Sequence, residues 1–370
     1  MICIYLQLEM ENKDLQCPEE KEDLSSKGLE EVPNVDERVV NLFLDFNDIS
    51  ELPEAIGCLK SLKYFSIIGN SLQNIPQSFC DLQTLEELHL NENDLCTLPN
   101  SICRLKTLKV LKLTGNKLQQ LPDEFGELSS LKVLHCDENN LCKLPKTFGL
   151  LEELIELELG ANSIETLIDG FGMLKSLQVL NLSNNQLTSL PESFGNLSNL
   201  VTLDVSANKL KHLPSHFNSC HCVEKLYFES NLLYSLPDWI SDLTNVVEFS
   251  FKDNQFQGQA ISDQFPHNCQ KLKHFDMSGN FMNKLPEDLG AMRNVEFIHL
   301  GSVIGELERR NFQNGNWLAT IPDSICQLTL LRELYMDENQ ISQLPNSFGE
   351  LVSLEILDLG MYNIKLMHRV

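Results

Sequence analysis

The densest group of metal-binding side chains in the sequence lies between positions 212 and 222. It reads His212-x-x-x-His216-x-x-x-Cys220-His221-Cys222. Imidazole nitrogens and thiolates are the donors that zinc takes in tetrahedral protein sites. Cys220, however, stands where neighbouring segments of the chain carry an inward-facing leucine. The pattern therefore favours a packing thiol with exposed histidines around it, and we predict no metal site.

Histidines and carboxylates are also close together at two other places, His89 with Glu92, and His135 with Asp137 and Glu138. Such pairs are capable of general acid–base chemistry. Neither pair has a serine or cysteine nucleophile beside it. The sequence also lacks a glycine-rich phosphate loop, a nucleophile elbow and a His-Glu-x-x-His helix. We predict contact residues instead of an active site, a protein that is not an enzyme, and no cofactor.

A repeat of 23 residues determines where these side chains lie. LEELHLNENDLCTLPNSICRLKT (85–107) and LKVLKLTGNKLQQLPDEFGELSS (108–130) share the pattern LxxLxLxxNxLxxLPxxaxxLxx, in which a is aliphatic or Phe. A fixed period of 20–50 residues is the signature of a solenoid. The pattern starts at Val39, Leu62, Leu85, Leu108, Leu131, Leu154, Leu177, Leu200, Val223, Val246, Leu272, Val295, Leu331 and Leu354.

Each part of the repeat has a structural interpretation. The LxLx alternation predicts a strand with one buried face. The Asn at the ninth position both donates and accepts hydrogen bonds, so it is suited to backbone groups where the chain turns inward. The Leu-Pro pair predicts the start of a short helical or 3₁₀ segment. The expected fold is an α/β leucine-rich-repeat solenoid, a curved horseshoe with parallel strands on its concave face and short helices or 3₁₀ turns on its convex face.

This repeat resembles the intracellular 23-residue leucine-rich repeats of Ras suppressor protein, of the leucine-rich scaffolds in Ras–Raf signalling, and of erbin and Scribble. The resemblance covers residues 24–366. It implies a scaffold or adaptor that binds proteins through its concave face, in small-GTPase or phosphatase signalling. The cysteine-rich caps of extracellular relatives are absent from the sequence, which agrees with an intracellular protein.

The formal net charge is −25. A chain this acidic is a poor ligand for phosphate backbones, so we predict no nucleic-acid partner. No stretch is apolar over the roughly 20 residues that a membrane helix needs, so no membrane insertion is predicted. A protein partner with a basic surface is the electrostatic complement, although acidity also serves solubility. Residues 1–23 are interpreted as an acidic, flexible leader, with either Met1 or Met10 as the start.

Residues 24–370 are predicted to form one domain: a short capping repeat, thirteen repeats and a partial last repeat. The repeat that starts at Val295 is longer than the others, with an insertion at about 303–315. Insertions into a strict repeat often serve binding. The alternative is a loop without a function, which the fold tolerates at little entropic cost. Arg309, Arg310 and Phe312 are the contacts we predict there. The oligomeric state is not predicted.

The binding face is read from the residues that flank the buried strand leucines, because these point away from the core. It combines carboxylates with aromatic side chains, a mixture typical of protein-binding surfaces. The predicted partner-binding residues are Tyr64, His89, Glu92, Lys112, His135, Asp137, Glu138, Glu158, Asp204, Tyr227 and Glu229.

The twelve cysteines are scattered along the sequence, and no convincing secretion signal precedes them. We interpret them as reduced thiols in a cytoplasmic protein, although Cys80 and Cys103 hold the same slot in adjacent repeats and their spacing would permit a bond. The alternative is an extracellular recognition module. Paired cysteines or a glycan on Asn181 would favour that alternative.

Overall fold

The computed structural model describes residues 21–217, 220–302 and 315–360. Fifteen strands form one parallel sheet in which each strand pairs with the next repeat's strand. The strands are β1 Lys21–Asp23, β2 Asn41–Phe43, β3 Tyr64–Ser66, β4 Glu87–His89, β5 Val110–Lys112, β6 Val133–His135, β7 Glu156–Glu158, β8 Val179–Asn181, β9 Thr202–Asp204, β10 Lys225–Tyr227, β11 Glu248–Ser250, β13 His274–Asp276, β15 Phe297–His299, β16 Glu333–Tyr335 and β17 Ile356–Asp358; β12 Gln257–Gly258 and β14 Phe281–Met282 pair separately.

The strands follow directly from the leucine pattern. In β4 and β5 the central residues Leu88 and Leu111 are fully buried and lie side by side in register. Their neighbours on each strand point to the opposite face, as the pleat requires. The expected leucine-rich-repeat solenoid is therefore confirmed.

Short 3₁₀ segments lie on the other side of the core. They are Glu54–Cys58, Gln77–Asp81, Asn100–Arg104, Phe125–Glu127, Lys146–Leu150, Asp169–Met173, Glu192–Asn196, Asp238–Asp242, Leu289–Ala291, Asp323–Gln327 and Phe348–Glu350, and one α-helix, Phe265–Asn268, takes this place in the longer repeat that starts at Val246. Pro99 precedes one segment with φ −65° and ψ 140°. Ile168, which replaces the usual Pro, adopts nearly the same geometry with φ −70° and ψ 150°. Pro is therefore favourable at this position but not required.

The ninth-position asparagines bridge consecutive repeats, as the sequence predicts. Asn139 is typical: its Nδ2 donates to the Leu113 carbonyl at 2.9 Å, and its Oδ1 accepts from the Leu118 amide at 2.9 Å. Because these backbone groups are buried, the bonds remove a desolvation cost at every turn. The same arrangement occurs at Asn47, Asn70, Asn93, Asn116, Asn162, Asn185, Asn208, Asn231, Asn254, Asn280, Asn316 and Asn339.

Phenylalanine–glycine pairs hold the 3₁₀ segments close together. The rings of Phe171 and Phe194 stack with centroids 5.7 Å apart and planes 5° from parallel. The glycine after each ring allows this approach: a Cβ on Gly172 would lie 1.8 Å from the Ser193 carbonyl oxygen. At Gly172 the close approach of the neighbouring repeat therefore leaves no room for a side chain.

The start of the sheet differs from the prediction. The sequence analysis assigned residues 1–23 to the leader, but Lys21–Asp23 form β1 and pair with Asn41–Phe43. Lys21 Nζ also lies 4.6 Å from the centroid of the Phe43 ring. Backbone pairing and this cation–π contact stabilise a polar strand that has no leucine pattern of its own. Residues 1–20, most of the insertion at 303–315, and residues 361–370 lie outside the described residues.

Candidate protein-binding surface

The concave face is formed by the first and third residues of each strand. The third-residue positions carry several predicted contacts: His89, Lys112, His135, Glu158, Asp204 and Tyr227; Tyr64 is a first residue. Asp137 and Glu229 follow two residues after the strand end. Glu92 and Glu138 are exposed at the turn beyond, each with φ 54°. The predicted residues therefore extend from the strand face to one lateral edge.

At the N-terminal end, Phe43, Tyr64 and His89 form a row of rings across three strands. The centroids of Phe43 and Tyr64 lie 4.8 Å apart, and those of Tyr64 and His89 lie 4.9 Å apart. Tyr64 Oη is 3.2 Å from His89 Nδ1, and Glu87 Oε2 is 3.4 Å from His89 Nε2. His89 is only 6% exposed. It supports Tyr64 and offers little surface to a partner, which differs from its predicted role as a contact.

In the middle of the concave face, several carboxylates surround His135. His135 Nε2 and Glu156 Oε1 lie 2.8 Å apart, and this hydrogen bond lowers the pKa of Glu156. Glu158 has no such partner: burial raises its pKa, although a hydrogen bond with Asn181 partly opposes this. Asp137 accepts from Thr114 Oγ1 at 2.8 Å. Two carboxylates on one strand thus differ in how well their charge is stabilised.

Strands β9, β10 and β11 continue the acidic surface. Burial raises the pKa of Asp204, and Ser206 stabilises its charge with two hydrogen bonds. Tyr227 donates to Glu248, and burial followed by this bond raises the pKa of the phenol. Glu229 accepts from Ser250 Oγ at 2.6 Å. Lysines pair with two of these acids, Lys225 with Glu248 at 2.5 Å and Lys252 with Glu229 at 3.4 Å.

A second group of rings lies near the C-terminal end and is absent from the predicted site. His274 and Phe297 stack with centroids 4.0 Å apart and planes 9° from parallel. Phe297 lies 5.6 Å from Tyr335, and His299 lies 5.4 Å from Tyr335. All four rings are half-buried on the strand face. The aromatic residues at the first and third positions of neighbouring strands are the sequence signal that could have indicated this group.

The histidines and cysteines between positions 212 and 222 do not come together around a common centre. Cys220 is fully buried and its Sγ lies 3.3 Å from the Leu197 carbonyl, while His216, His221 and Cys222 are exposed. His212 instead packs edge-on against Tyr234. This matches the expected packing thiol with exposed histidines. Within the described ranges, no group of three or more His, Cys, Asp or Glu side chains is arranged to hold a metal ion.

The ten cysteines for which the structure gives a state are free thiols, including Cys80 and Cys103. The predicted contacts Arg309, Arg310 and Phe312 lie outside the described residues. No helix in the described part of the chain is long and apolar enough to cross a membrane.

Comparison with known proteins agrees with the geometry. A model described as a leucine-rich repeat region matches residues 96–185, and other leucine-rich-repeat models match 37–95, 175–215 and 330–351. No curated protein matches the sequence. The chain carries leucine-rich repeats and folds as a leucine-rich-repeat solenoid.

Solved structures show the same architecture. A leucine-rich-repeat protein of Leptospira interrogans is 29% identical with a TM-score of 0.80, over 96% of this chain and 92% of that one. A chain of the PEPR1–AtPEP1 crystal structure is 28% identical with a TM-score of 0.74, over 86% of this chain but 44% of that one. A chain of the complex of Latrophilin 3, Unc5D and the FLRT2 leucine-rich repeats is 25% identical with a TM-score of 0.57, over 83% and 84%.

Proposed function

We propose that this chain is a non-catalytic binding module whose concave face docks a protein partner with a basic surface. The observation that carries the proposal is the pair Glu158 and Asp204, two concave carboxyl groups whose pKa values burial raises. A raised carboxyl pKa means that the environment disfavours the negative charge. A cation brought by a partner would stabilise that charge, so the surface is complementary to a basic one.

The similar structures support protein binding as the general role. The FLRT2 repeats were solved in a complex with Latrophilin 3 and Unc5D, and PEPR1 was solved with AtPEP1. A wide, preformed strand face suits such docking because it needs little reorganisation on binding. Arg309, Arg310 and Phe312 of the insertion remain a proposed second contact.

We further propose that the protein works in the cytoplasm as a signalling scaffold, in small-GTPase or phosphatase pathways by resemblance only. The free thiols support a reducing compartment. The alternative is an extracellular recognition module, which the FLRT2 and PEPR1 similarities favour. A glycan on Asn181 would discriminate between the two. This asparagine lies half-buried on β8, where a glycan would obstruct the middle of the concave face.

The test compares two variants that lose the same amount of charge. The concave variant carries Asp137→Asn, Glu158→Gln and Asp204→Asn, and the control variant carries Glu152→Gln, Glu153→Gln and Asp169→Asn, three exposed acids off the strand face. Thermal melting first establishes that both are folded. Partners captured from lysate by the wild type and the control but lost from the concave variant would support concave docking. An unchanged set of partners would contradict it.

A further inference from the structure

The half-buried rings of His274, Phe297, His299 and Tyr335 form one continuous surface, here called the ring platform. His274 and Phe297 are first residues of neighbouring strands and lie in register, as do the third residues His299 and Tyr335. Phe297 is the centre of the platform, since its ring centroid lies between 4.0 and 6.3 Å from those of the other three. The platform therefore presents ring faces and edges in the concave surface across three strands.

Carboxylates surround the ring platform. Asp276 lies on the same strand as His274 and is the register neighbour of His299. Its Oδ2 is 3.6 Å from His299 Nδ1. Glu333 Oε2 accepts a hydrogen bond from Tyr335 Oη at 3.0 Å. Glu248 is the register neighbour of His274 on the preceding strand. Asp276 is buried and Glu248 already pairs with Lys225, so Glu333 is the carboxylate that is accessible to a cation above the rings.

The chemistry of the platform points to one kind of cation. Burial lowers the pKa of His274, so its imidazole is neutral near pH 7 and adds an aromatic face without adding positive charge. A guanidinium is planar and weakly hydrated, so it stacks on rings while its donors reach carboxylates beside them. An ammonium is a compact, strongly hydrated charge that cannot stack in this way.

The N-terminal ring row offers an internal comparison. There the chain supplies its own cation, because Lys21 Nζ lies 4.6 Å from the centroid of the Phe43 ring. None of the lysines and arginines in the described ranges lies in this way over the four platform rings. Among the described residues, the first ring group therefore contacts a cation of the chain itself, whereas the ring platform does not.

We propose that the ring platform is the anchoring site for an arginine side chain of the basic partner. This inference rests on the proposed function, and it names the chemistry that the partner must bring. Arginine stacks on Phe297 and Tyr335 and donates hydrogen bonds to Glu333. Cross-strand ring pairs also stabilise sheets, so the test must separate binding from stability.

The experiment measures binding of labelled hepta-arginine and hepta-lysine, two peptides of equal side-chain charge, by fluorescence anisotropy. The wild type is compared with Phe297→Leu and Tyr335→Leu, which remove a platform ring. Phe43→Leu is the matched control, since it removes a half-buried ring elsewhere on the concave face. Tyr335→Phe keeps the ring and removes only the hydroxyl. Melting curves show which variants are folded.

The wild type should bind hepta-arginine about 3- to 30-fold tighter than hepta-lysine, the range expected for partly to fully desolvated cation–π contacts. This preference should fall below about twofold in Phe297→Leu and Tyr335→Leu and persist in Phe43→Leu and Tyr335→Phe. A preference that survives loss of the rings, or is absent from the wild type, would overturn the arginine site.

The two proposals fail in different ways. If both peptides bind equally and the concave variant with Asp137→Asn, Glu158→Gln and Asp204→Asn weakens both, the arginine site is wrong and the basic-partner function stands. If neither peptide binds the wild type, both proposals fail together.

Discussion

His135 on β6 and Glu156 on β7 form a short hydrogen bond across the strands, with 2.8 Å between Nε2 and Oε1. Glu158, two residues further along the same strand, has a hydrogen bond with Asn181 that only partly offsets the effect of its burial. The two glutamates have opposite pKa shifts, lowered for Glu156 by the His135 bond and raised for Glu158 by burial. The charge of Glu156 is therefore stabilised within the fold, whereas the charge of Glu158 is stabilised incompletely.

Glu156→Gln should lower the free energy of unfolding at pH 7 by about 1 kcal/mol, because it removes a charge-assisted bond that is partly open to solvent. The direction in which this stabilisation changes with pH follows from the lowered pKa of Glu156. The contribution of Glu156 is fully present above the unfolded pKa near 4.5 and is lost as pH falls through the lowered folded value. Urea unfolding of wild type and variant at pH 7 and pH 3 measures this. A deficit that is equal at both pH values would contradict it.

Glu158→Gln should have the opposite effect and raise the melting temperature at pH 7. Its charged form costs stability above the raised folded pKa, and this cost disappears once pH falls below the unfolded value near 4.5. Melting curves across this range test the prediction. If both substitutions destabilise equally at pH 7, the assigned roles of the two glutamates are wrong.

Gly172→Ala should destabilise the protein by about 1–3 kcal/mol, because the added methyl overlaps a backbone oxygen that cannot move independently. Gly349 is the matched control. It also follows a phenylalanine in a 3₁₀ segment, yet a Cβ there would meet no atom of the described residues within 4 Å. Gly349→Ala should change the stability by less than about 0.5 kcal/mol. Chemical denaturation measures both, and equal effects would show that glycine serves backbone conformation instead of spacing.

Asn139→Ala should cost about 1–3 kcal/mol, because the buried Leu118 amide loses its acceptor. The neighbouring Asn140 is exposed, and Asn140→Ala should stay within about 0.5 kcal/mol of the wild type. Denaturation of the two variants in parallel makes the comparison. A small loss for Asn139→Ala would mean that water replaces the side chain in the ladder.

Buried thiols should resist alkylation in the folded protein. Burial raises the pKa of Cys103 to about 11 and that of Cys220 to about 12, so both are protonated at pH 8 as well as shielded. Cys96 and Cys142 are exposed. Mass spectrometry after N-ethylmaleimide treatment should show the buried pair reacting at least about a hundredfold more slowly, because they wait for local opening. Disulfide-linked peptides in the untreated protein would instead support the extracellular alternative.

The fold was predictable from the sequence because the same residue pattern recurs in every repeat. A single departure from the pattern, such as Ile168 in place of Pro, does not change the prediction because the other repeats indicate the structure. Ile168 adopts the backbone geometry of those prolines. Strand β1 was missed because Lys21–Asp23 carry no inward leucine and depend on pairing with β2. A polar edge strand leaves no periodic signal in its own residues.

The proposed binding surface was less predictable. Strand periodicity predicts which residues lie on the concave face. The residue that each of these side chains contacts depends on its rotamer and on the side chains of the neighbouring repeats. His89 and His135 hold equivalent positions, yet His89 is buried beside Tyr64 whereas His135 bonds Glu156. The ring platform was missed because the sequence does not show that the rings of His274, Phe297, His299 and Tyr335 contact one another across three strands.

The most direct test of concave docking is isothermal titration of a captured partner against three proteins: the wild type, the concave variant (Asp137→Asn, Glu158→Gln, Asp204→Asn) and the control variant (Glu152→Gln, Glu153→Gln, Asp169→Asn). Both variants change the net charge equally, so only position differs. The Kd should rise at least about tenfold for the concave variant and less than about twofold for the control, with weaker binding in added salt. Equal weakening of both variants would mean that overall charge, not the concave face, holds the partner.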